Sequence, residues 1–514
     1  MEIVKRFWFF TFGDSELCHS LGGQRTKDYV GVGSVLGETD RVIRGAVMAE
    51  AQILDYSLVG KSNEEAVASG LASATWYNSS IPRDQFRALL ARRDGPAVRD
   101  TLLWFALIFG TGYWGYLWWG SWWAVIPFAL YGVLYGSSSD SRWHESSHGT
   151  AFKSDWMNNA LYEIASFMVF RESTAWRWSH NRHHSDTIIV GRDPEIAVPR
   201  PVSLWTVFLA FFAVPMSRNE LGEILLHCVG KMKPDEQTYI PEFEHRTLFF
   251  KARIYVLIYA LVIGAAIYSQ SILPLMYVGL PTLYGSWLMV VFGLTQHAGL
   301  AENVLDHRLN CRTVYMNPIF RFLYWNMNYH VEHHMFPLVP YHAVPKLHAL
   351  VKDDMPTPYS GLWEAYREIV PALIKQSKDA TYFVERKLPT PSIVAPEPER
   401  AFVSESNNLA EGWVVVCGVD DLENEDVLRF DRGDETYAIY RSATGEFYAS
   451  EGLCTHGRAC LADGVVMDNL IECPKHNGRF DLRDGSVQRS PVRVPLKMYE
   501  VKIEAGKVLV DFTL

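Results

Sequence analysis

Eight of the chain's 17 histidines stand in three tight clusters. The first reads H-E-S-S-H, with His144 and His148 four residues apart. The second, H-N-R-H-H, holds His180, His183 and His184. The third, H-V-E-H-H, holds His330, His333 and His334 within Asn328–Pro337. On a helix, positions i, i+3 and i+4 share a face, so each cluster can turn its imidazoles into one space. Imidazole is a ligand for iron, zinc and copper. The spacing predicts a metal site, open to oxidative or hydrolytic chemistry.

A second constellation lies near the C-terminus. Cys454-Thr455-His456 is followed, after sixteen residues, by Cys473-Pro474-Lys475-His476. Two thiolates and two imidazoles on paired loops suit a [2Fe–2S] cluster with both cysteines on one iron and both histidines on the other. The same four residues could hold a structural zinc. A cluster of the first kind carries single electrons, at roughly −150 to +300 mV, and makes no bonds itself. The cysteines are odd in number, seven, and scattered, which argues against a disulfide framework and suits a reducing compartment. Cys417 and Cys460 receive no role.

The elements that must position these groups begin with two long charge-free stretches. Thr101–Ser139 and Ile254–Ala301 contain no Asp, Glu, Lys or Arg. A membrane helix needs about 20 apolar residues, so each stretch is long enough for two spans. Four spans are expected, at about 101–119, 122–139, 254–270 and 273–293, turning at Gly120-Ser121 and around Ser269-Gln270-Ser271. Two hairpins return both termini and all the histidine clusters to one side. Arg92, Arg93, Arg99, Arg142, Lys153, Arg171 and Arg177 crowd that side, and by the positive-inside rule it is cytoplasmic. Trp114, Trp118, Trp119, Trp122 and Trp123 suit an interfacial belt. The fold expected is therefore an α-helical membrane protein, four transmembrane helices with a cytoplasmic helical cap, followed by a small all-β domain.

Residues 1–54 carry no assignable role; Gly31–Gly37 departs from G-x-G-x-x-G spacing and reads as a loop. The membrane domain is expected over 55–385, with 55–100 as a helical lead-in starting a helix near Pro82. Ala160–Phe170 and Leu204–Met216 are too short to span and read as interfacial or buried helices, and Glu220–Arg246 reads as a surface excursion. Pro389, Pro391, Pro396 and Pro398 mark a semi-rigid linker over 386–410. Such a linker lets the last domain swing, or raises its local concentration. Over 411–514, short runs at 413–419, 436–440, 464–471, 492–495, 498–503 and 507–512, separated by Gly and Asp turns, argue the all-β domain. That domain holds seven of the chain's ten net negative charges, a solvated face or a docking face for a basic redox partner. Nothing in the charge pattern points to nucleic acid.

With C-T-H-G-R-A-C-L-A-D-G and C-P-K-H-N-G-R-F-D around its ligands, the last domain resembles a Rieske ferredoxin of the oxygenase-associated type. The membrane half, from Ser137 to Tyr359, resembles the fatty acid desaturase superfamily of membrane di-iron oxygenases through H-E-S-S-H-G, H-N-R-H-H and H-V-E-H-H-M-F-P. That resemblance implies two non-haem irons held almost wholly by histidines, with O2 as co-substrate. It also implies a ninth histidine, His297 in T-Q-H-A-G-L-A-E-N, with His307 as a second candidate. Gly293 stands where some relatives have an asparagine, leaving a water, Asn326 or Asn328 to complete the shell. Glu145, Glu332, Asp186 and Asp193 beside the boxes are candidate acceptors for imidazole N–H groups, or plain surface charges.

The order of the two halves is similar to the oxygenase and ferredoxin pair of rhizopine catabolism, with G-S-S-S-D-S-R-W-H-E-S-S-H-G, I-V-G-R-D-P-E and E-D-V-L-R-F-D in common. This implies an integral membrane monooxygenase that removes an O-methyl group from a methylated polyol. An acyl-lipid desaturase or hydroxylase is the alternative, and a zinc-bearing redox carrier or sensor is the non-enzymatic one. The chain has no flavin or nicotinamide motif, so electrons are expected from a separate NAD(P)H-dependent ferredoxin reductase.

Overall fold

The computed structural model describes residues 54–389 and 412–513, apart from Thr75, His476 and Ser490. The expected N-terminal segment up to residue 53, the linker from residue 390 and the cluster histidine His476 lie outside the described residues.

The helices lie between residues 61 and 376, and the charge-free stretches form those that support the clusters. The first long helix, Asp94–Leu117, covers all but the last two residues of the expected 101–119 span and ends in a turn where Gly120 takes φ +87°. The chain returns through Val125–Gly132 and a π-helical turn, Val133–Ser137, directly into Ser138–Ser147, which carries His144 and is capped by His148. His245–Ser269 contains the third expected span and stops where Gln270 adopts a left-handed conformation. The fourth is broken into Leu273–Tyr277, Leu280–Gly285 and Trp287–His297. Pro274 and Pro281 each begin a new piece, and Gly279 at φ +94° turns the chain between them. Among the described residues one helix, Glu242–Ser269, is by itself long and apolar enough to cross a membrane.

The returning segments meet where side chains are missing. A Cβ on Gly285 would lie 1.9 Å from the Gly132 carbonyl oxygen. Ser137 Oγ donates to the Gly285 carbonyl at 2.6 Å and accepts from the Met289 amide at 2.8 Å. This contact sets the approach of the helix that follows, with its histidines. Gly285→Ala should cost at least about 1–3 kcal/mol, the usual range for overpacking, because the clash is with backbone. Thermal unfolding and bound iron would both fall; an unchanged melting temperature would show that the helices can separate freely.

Three local expectations are corrected. Arg142 does not face the membrane surface: it is fully buried, donating to the Leu323 carbonyl at 2.8 Å and the Phe322 carbonyl at 3.0 Å. Arg171 pairs with Asp140 and stacks on Trp143 and Trp176, so neither cation reports orientation. The stretch 220–246 is not simply a surface excursion. Glu220 is buried and accepts from Trp176 Nε1 at 2.5 Å, and His227 pairs with buried Glu236 at 2.9 Å.

The C-terminal part is β-rich, with ten strands among the described residues. They are β1 (Trp413–Gly418), β2 (Asp426–Arg432), β3 (Glu435–Arg441), β4 (Phe447–Glu451), β5 (Val465–Met467), β6 (Leu470–Glu472), β7 (Arg479–Asp481), β8 (Val487–Arg489), β9 (Met498–Glu504) and β10 (Lys507–Asp511). One antiparallel sheet runs β1-β10-β9-β4-β3-β2 and the other β5-β6-β7-β8. The expected strand at 492–495 is absent. Pro491 and Pro495 bracket it and lack the N–H a ladder needs, and Val492 instead fills the core against Gly478. The β4–β5 and β6–β7 connections carry the two cysteine motifs.

Candidate metal centre

The histidine clusters converge on one buried space and divide into two sets. His144, His148, His180, His184 and His333 have ligand atoms all within 4.8 Å of one another, and so do His183, His297, His330 and His334. Together these are the nine histidines expected. The partition is not by cluster. On the helix Ser173–Ser185, His180 and His184 join the first set while His183 joins the second. On the helix His330–Met335 the roles reverse, with His330 and His334 in the second set and His333 in the first. Residues i and i+4 lie nearly in line along a helix while i+3 is offset to the side, so each H-x-x-H-H box serves two centres.

The inner nitrogens face one another. His144 Nε2 is 2.8 Å from His333 Nε2, and His148 Nε2 is 3.1 Å from His180 Nε2. In the second set His330 Nε2 lies 3.0 Å from both His297 Nε2 and His334 Nε2. Outer nitrogens meet acceptors: His183 Nδ1 at 2.8 Å from Asp193, His180 Nδ1 at 3.1 Å from Glu195, and His297 Nδ1 at 2.8 Å from the Asn310 carbonyl. Glu145 lies 3.3 Å from His333 Nδ1. Protons held on the outer nitrogens leave lone pairs on the inner ones, pointed at each other. Burial and the neighbouring imidazoles hold His144, His180, His184, His330, His333 and His334 well below the ordinary histidine range, whereas at His183 burial is outweighed by Asp193 and the ring is raised. Both ring nitrogens of His184 are buried without a hydrogen-bond partner. Converging neutral imidazoles of this kind fit a pair of metal cations and little else.

The surrounding residues sort differently from expectation. Asp193 and Glu145 stand beside ligand rings. Glu332 does not: it pairs with His348 and accepts from Thr313 Oγ1 at 2.6 Å. Asp186 binds Arg192 at 3.1 Å and Arg182. Asn326 accepts from Arg321 at 2.8 Å, and Asn328 donates to the Val314 carbonyl at 2.8 Å. His307 is buried, stacked on Trp76 with ring centroids 4.3 Å apart, and groups with Cys311 and His334 instead of joining the set of five or the set of four. Sequence reasoning missed Glu195, whose only signal was its place two residues after Asp193. Asp193→Asn should weaken iron binding by about 10–100-fold, as removal of an outer acceptor generally does. Iron titration of the apoprotein would measure it, and unchanged affinity would deny Asp193 this part.

In the β part, Cys454 and Cys473 are both buried and within hydrogen-bonding reach. The Cys473 thiol and the amides of His456 and Gly457 bring Cys454 down to about 7. A buried sulfur so stabilised as an anion, with His456 beside it, fits a thiolate and imidazole cluster site.

Family models and relatives match the two parts separately. The fatty acid desaturase model matches residues 120–366, and the Rieske [2Fe-2S] domain model matches residues 412–500. The ferredoxin component of the naphthalene 1,2-dioxygenase system of Pseudomonas aeruginosa is 37% identical over 105 residues, covering 20% of this chain and 100% of that protein. Ferredoxin CarAc of Metapseudomonas resinovorans is 39% identical over 99 residues, 19% of this chain and 92% of that protein. A chain in the solved complex of reduced oxygenase and oxidized ferredoxin in carbazole 1,9a-dioxygenase is 39% identical, with TM-score 0.19, covering 20% of this chain and 93% of that one.

Proposed function

Since the chain belongs to the fatty acid desaturase family and continues into a Rieske [2Fe-2S] domain, we propose that it is a membrane monooxygenase in which the Rieske domain feeds the histidine centre. The two domains together make it an O2-dependent non-haem iron oxidoreductase with a di-iron centre and a [2Fe-2S] cluster. The observation that carries the proposal is the pair of buried histidine sets beside a Rieske domain of the same chain.

His144, His148, His180, His184 and His333 would hold one iron, and His183, His297, His330 and His334 the other. Cys454, His456, Cys473 and His476 would hold the cluster. When bound, the irons supply reductive activation of O2, and the cluster supplies single electrons. Asp193, Glu195 and the Asn310 carbonyl accept at the outer nitrogens of His183, His180 and His297, which would leave the inner nitrogens of those three rings free to hold metal. The buried ring of Trp143, edge-on to His180 with centroids 5.1 Å apart, shields the first set from water.

The substrate proposed is a methylated polyol of the rhizopine kind. One oxygen atom of O2 enters the O-methyl C–H bond, and the hydroxymethyl ether collapses to a free hydroxyl and formaldehyde. The other leaves as water with two electrons and two protons, drawn through a separate NAD(P)H-dependent reductase. The membrane reading is supported by an exposed apolar band that includes Phe109, Leu261 and Ile267, with Trp122 92% exposed. Four spans in the bilayer and cytoplasmic metal sites complete the proposal.

The test is reductase-driven O2 uptake by iron-loaded protein, with formaldehyde assayed over methylated polyols and lipid fractions. Formaldehyde stoichiometric with O2 from a methylated polyol is expected. Uptake coupled only to lipid, with new double bonds or hydroxyls, would make the protein an acyl desaturase or hydroxylase.

A further inference from the structure

We propose that Trp178 is the bridge through which the docked Rieske domain passes electrons to the histidine centre, and that the helix face around it is the docking surface. The inference rests on the reading above, that the Rieske domain feeds this centre.

Trp178 belongs to the helix Ser173–Ser185, two residues before His180. Its ring stands edge-on to that of His456, with centroids 6.3 Å apart and planes at 67°. Positions i and i+2 on a helix point to nearly opposite sides. Trp178 therefore faces outward to the cluster ligand while His180 faces inward to the first histidine set. The indole is held in place: it is 8% exposed, in an apolar group with Ala175, Ile240 and Leu248, with Phe243 edge-on at 5.9 Å.

Ion pairs from the rest of the Rieske domain surround this contact. Arg92, from the segment before the first long helix, reaches Glu472 at 3.2 Å, and Glu472 precedes the ligand Cys473. Arg479 joins the domains, binding Glu472 at 2.6 Å and Asp155 at 2.9 Å. Arg87 pairs with Glu423 at 3.0 Å. Gly149, next to the ligand His148, has φ +67°, and a Cβ there would stand 2.2 Å from the guanidinium of Arg489. The glycine leaves room for a Rieske-domain arginine against the histidine helix. Charge, shape and the aromatic contact agree on one docked orientation, and a buried pair such as Arg92–Glu472 is well suited to fixing it.

With both groups bound, each transfer would move one electron from the reduced cluster to a ferric ion held by the histidines, oxidising the first and reducing the second. Two transfers serve one O2. The indole is neither oxidised nor protonated; it shortens the gap.

The experiment uses full-length holoprotein in which the cluster alone is photoreduced without O2, while its EPR signal and absorbance are followed. Trp178→Leu is expected to slow cluster reoxidation by about an order of magnitude, and Trp178→Phe by less. The cluster's EPR signal, its potential and the iron content should be unchanged. Asp155→Arg, set against Arg479 and Arg489, should slow the same step by loosening the dock. Reoxidation of Trp178→Phe and Trp178→Leu at the parent rate would overturn the bridge, and so would slowing accompanied by lost iron or an altered cluster signal. If the bridge fails while the parent still couples O2 uptake to product, the oxygenase reading stands. If the fully loaded parent takes up no O2, that reading fails, whatever Trp178 does.

Discussion

Replacing His333 with alanine should remove one iron per chain and leave less than about a hundredth of the O2 consumption. His333 comes from the third cluster yet lies in the first histidine set, 2.8 Å from His144 Nε2. It ties the helix His330–Met335 to the helix Ser138–Ser147, and buried Glu145 stands at its outer nitrogen. Loss of an outer acceptor alone costs about 10–100-fold in affinity or activity, so loss of the ligand should reach at least the upper end. Metal analysis beside an O2 electrode would measure both effects. The Rieske EPR signal serves as the internal control and should persist, because its ligands are separate. Full iron retention in His333→Ala would remove this residue from the centre and with it the two-set partition.

The second large effect is expected at Glu472, whose carboxylate is wholly buried between Arg92 and Arg479 and also accepts from Asn477 Nδ2 at 2.9 Å. Glu472→Ala should destabilise the docked protein by about 3–5 kcal/mol, the range for breaking a buried ion pair and leaving its partners uncompensated. Burial pushes this carboxyl up, but Arg92 and Arg479 outweigh it and hold the group at about 2, against an ordinary 4.5. A group depressed in the folded state stabilises it fully above its unfolded value and loses that contribution as pH falls toward the folded one. Between about pH 4.5 and 2, the parent should therefore lose stability more steeply than Glu472→Gln. Denaturant unfolding across that window would show it, and parallel pH profiles would mean that the pair contributes no net linkage.

Much of the site was legible because the ligand types and their local spacing are written in short segments. Cys454, His456 and Cys473 needed only the spacing of two loops. His180, His183 and His184 needed only a helical repeat, and the charge-free stretches announced the apolar helices around them. The partners of the side chains were less legible. Glu332 looked like an acceptor for its own cluster but turns to His348, because the helix places it on the face away from the metals. Glu195 was passed over although it meets His180. Arg142 looked like a surface cation and proved to be a buried tie to the carbonyls of Phe322 and Leu323. The fourth charge-free segment is long enough to span, but Pro274, Gly279 and Pro281 divide it into three pieces.

By itself the sequence determined the kind of chemistry: eight clustered histidines for metal, with a ninth implied only by resemblance, two Cys/His loops for a cluster, apolar helices before the linker and short strands after it. These follow from residue type and from periods of a few residues, which neighbours in the chain enforce on one another. Only the tertiary structure decided that each H-x-x-H-H box is shared between two centres, that Asp193 and Glu195 steady the rings, and that His456 comes to rest against Trp178. Those outcomes depend on which helices cross and at what distance, as where Gly285 lets one helix onto Gly132. Such close packing is a property of segments far apart in the chain, and no local pattern carries it.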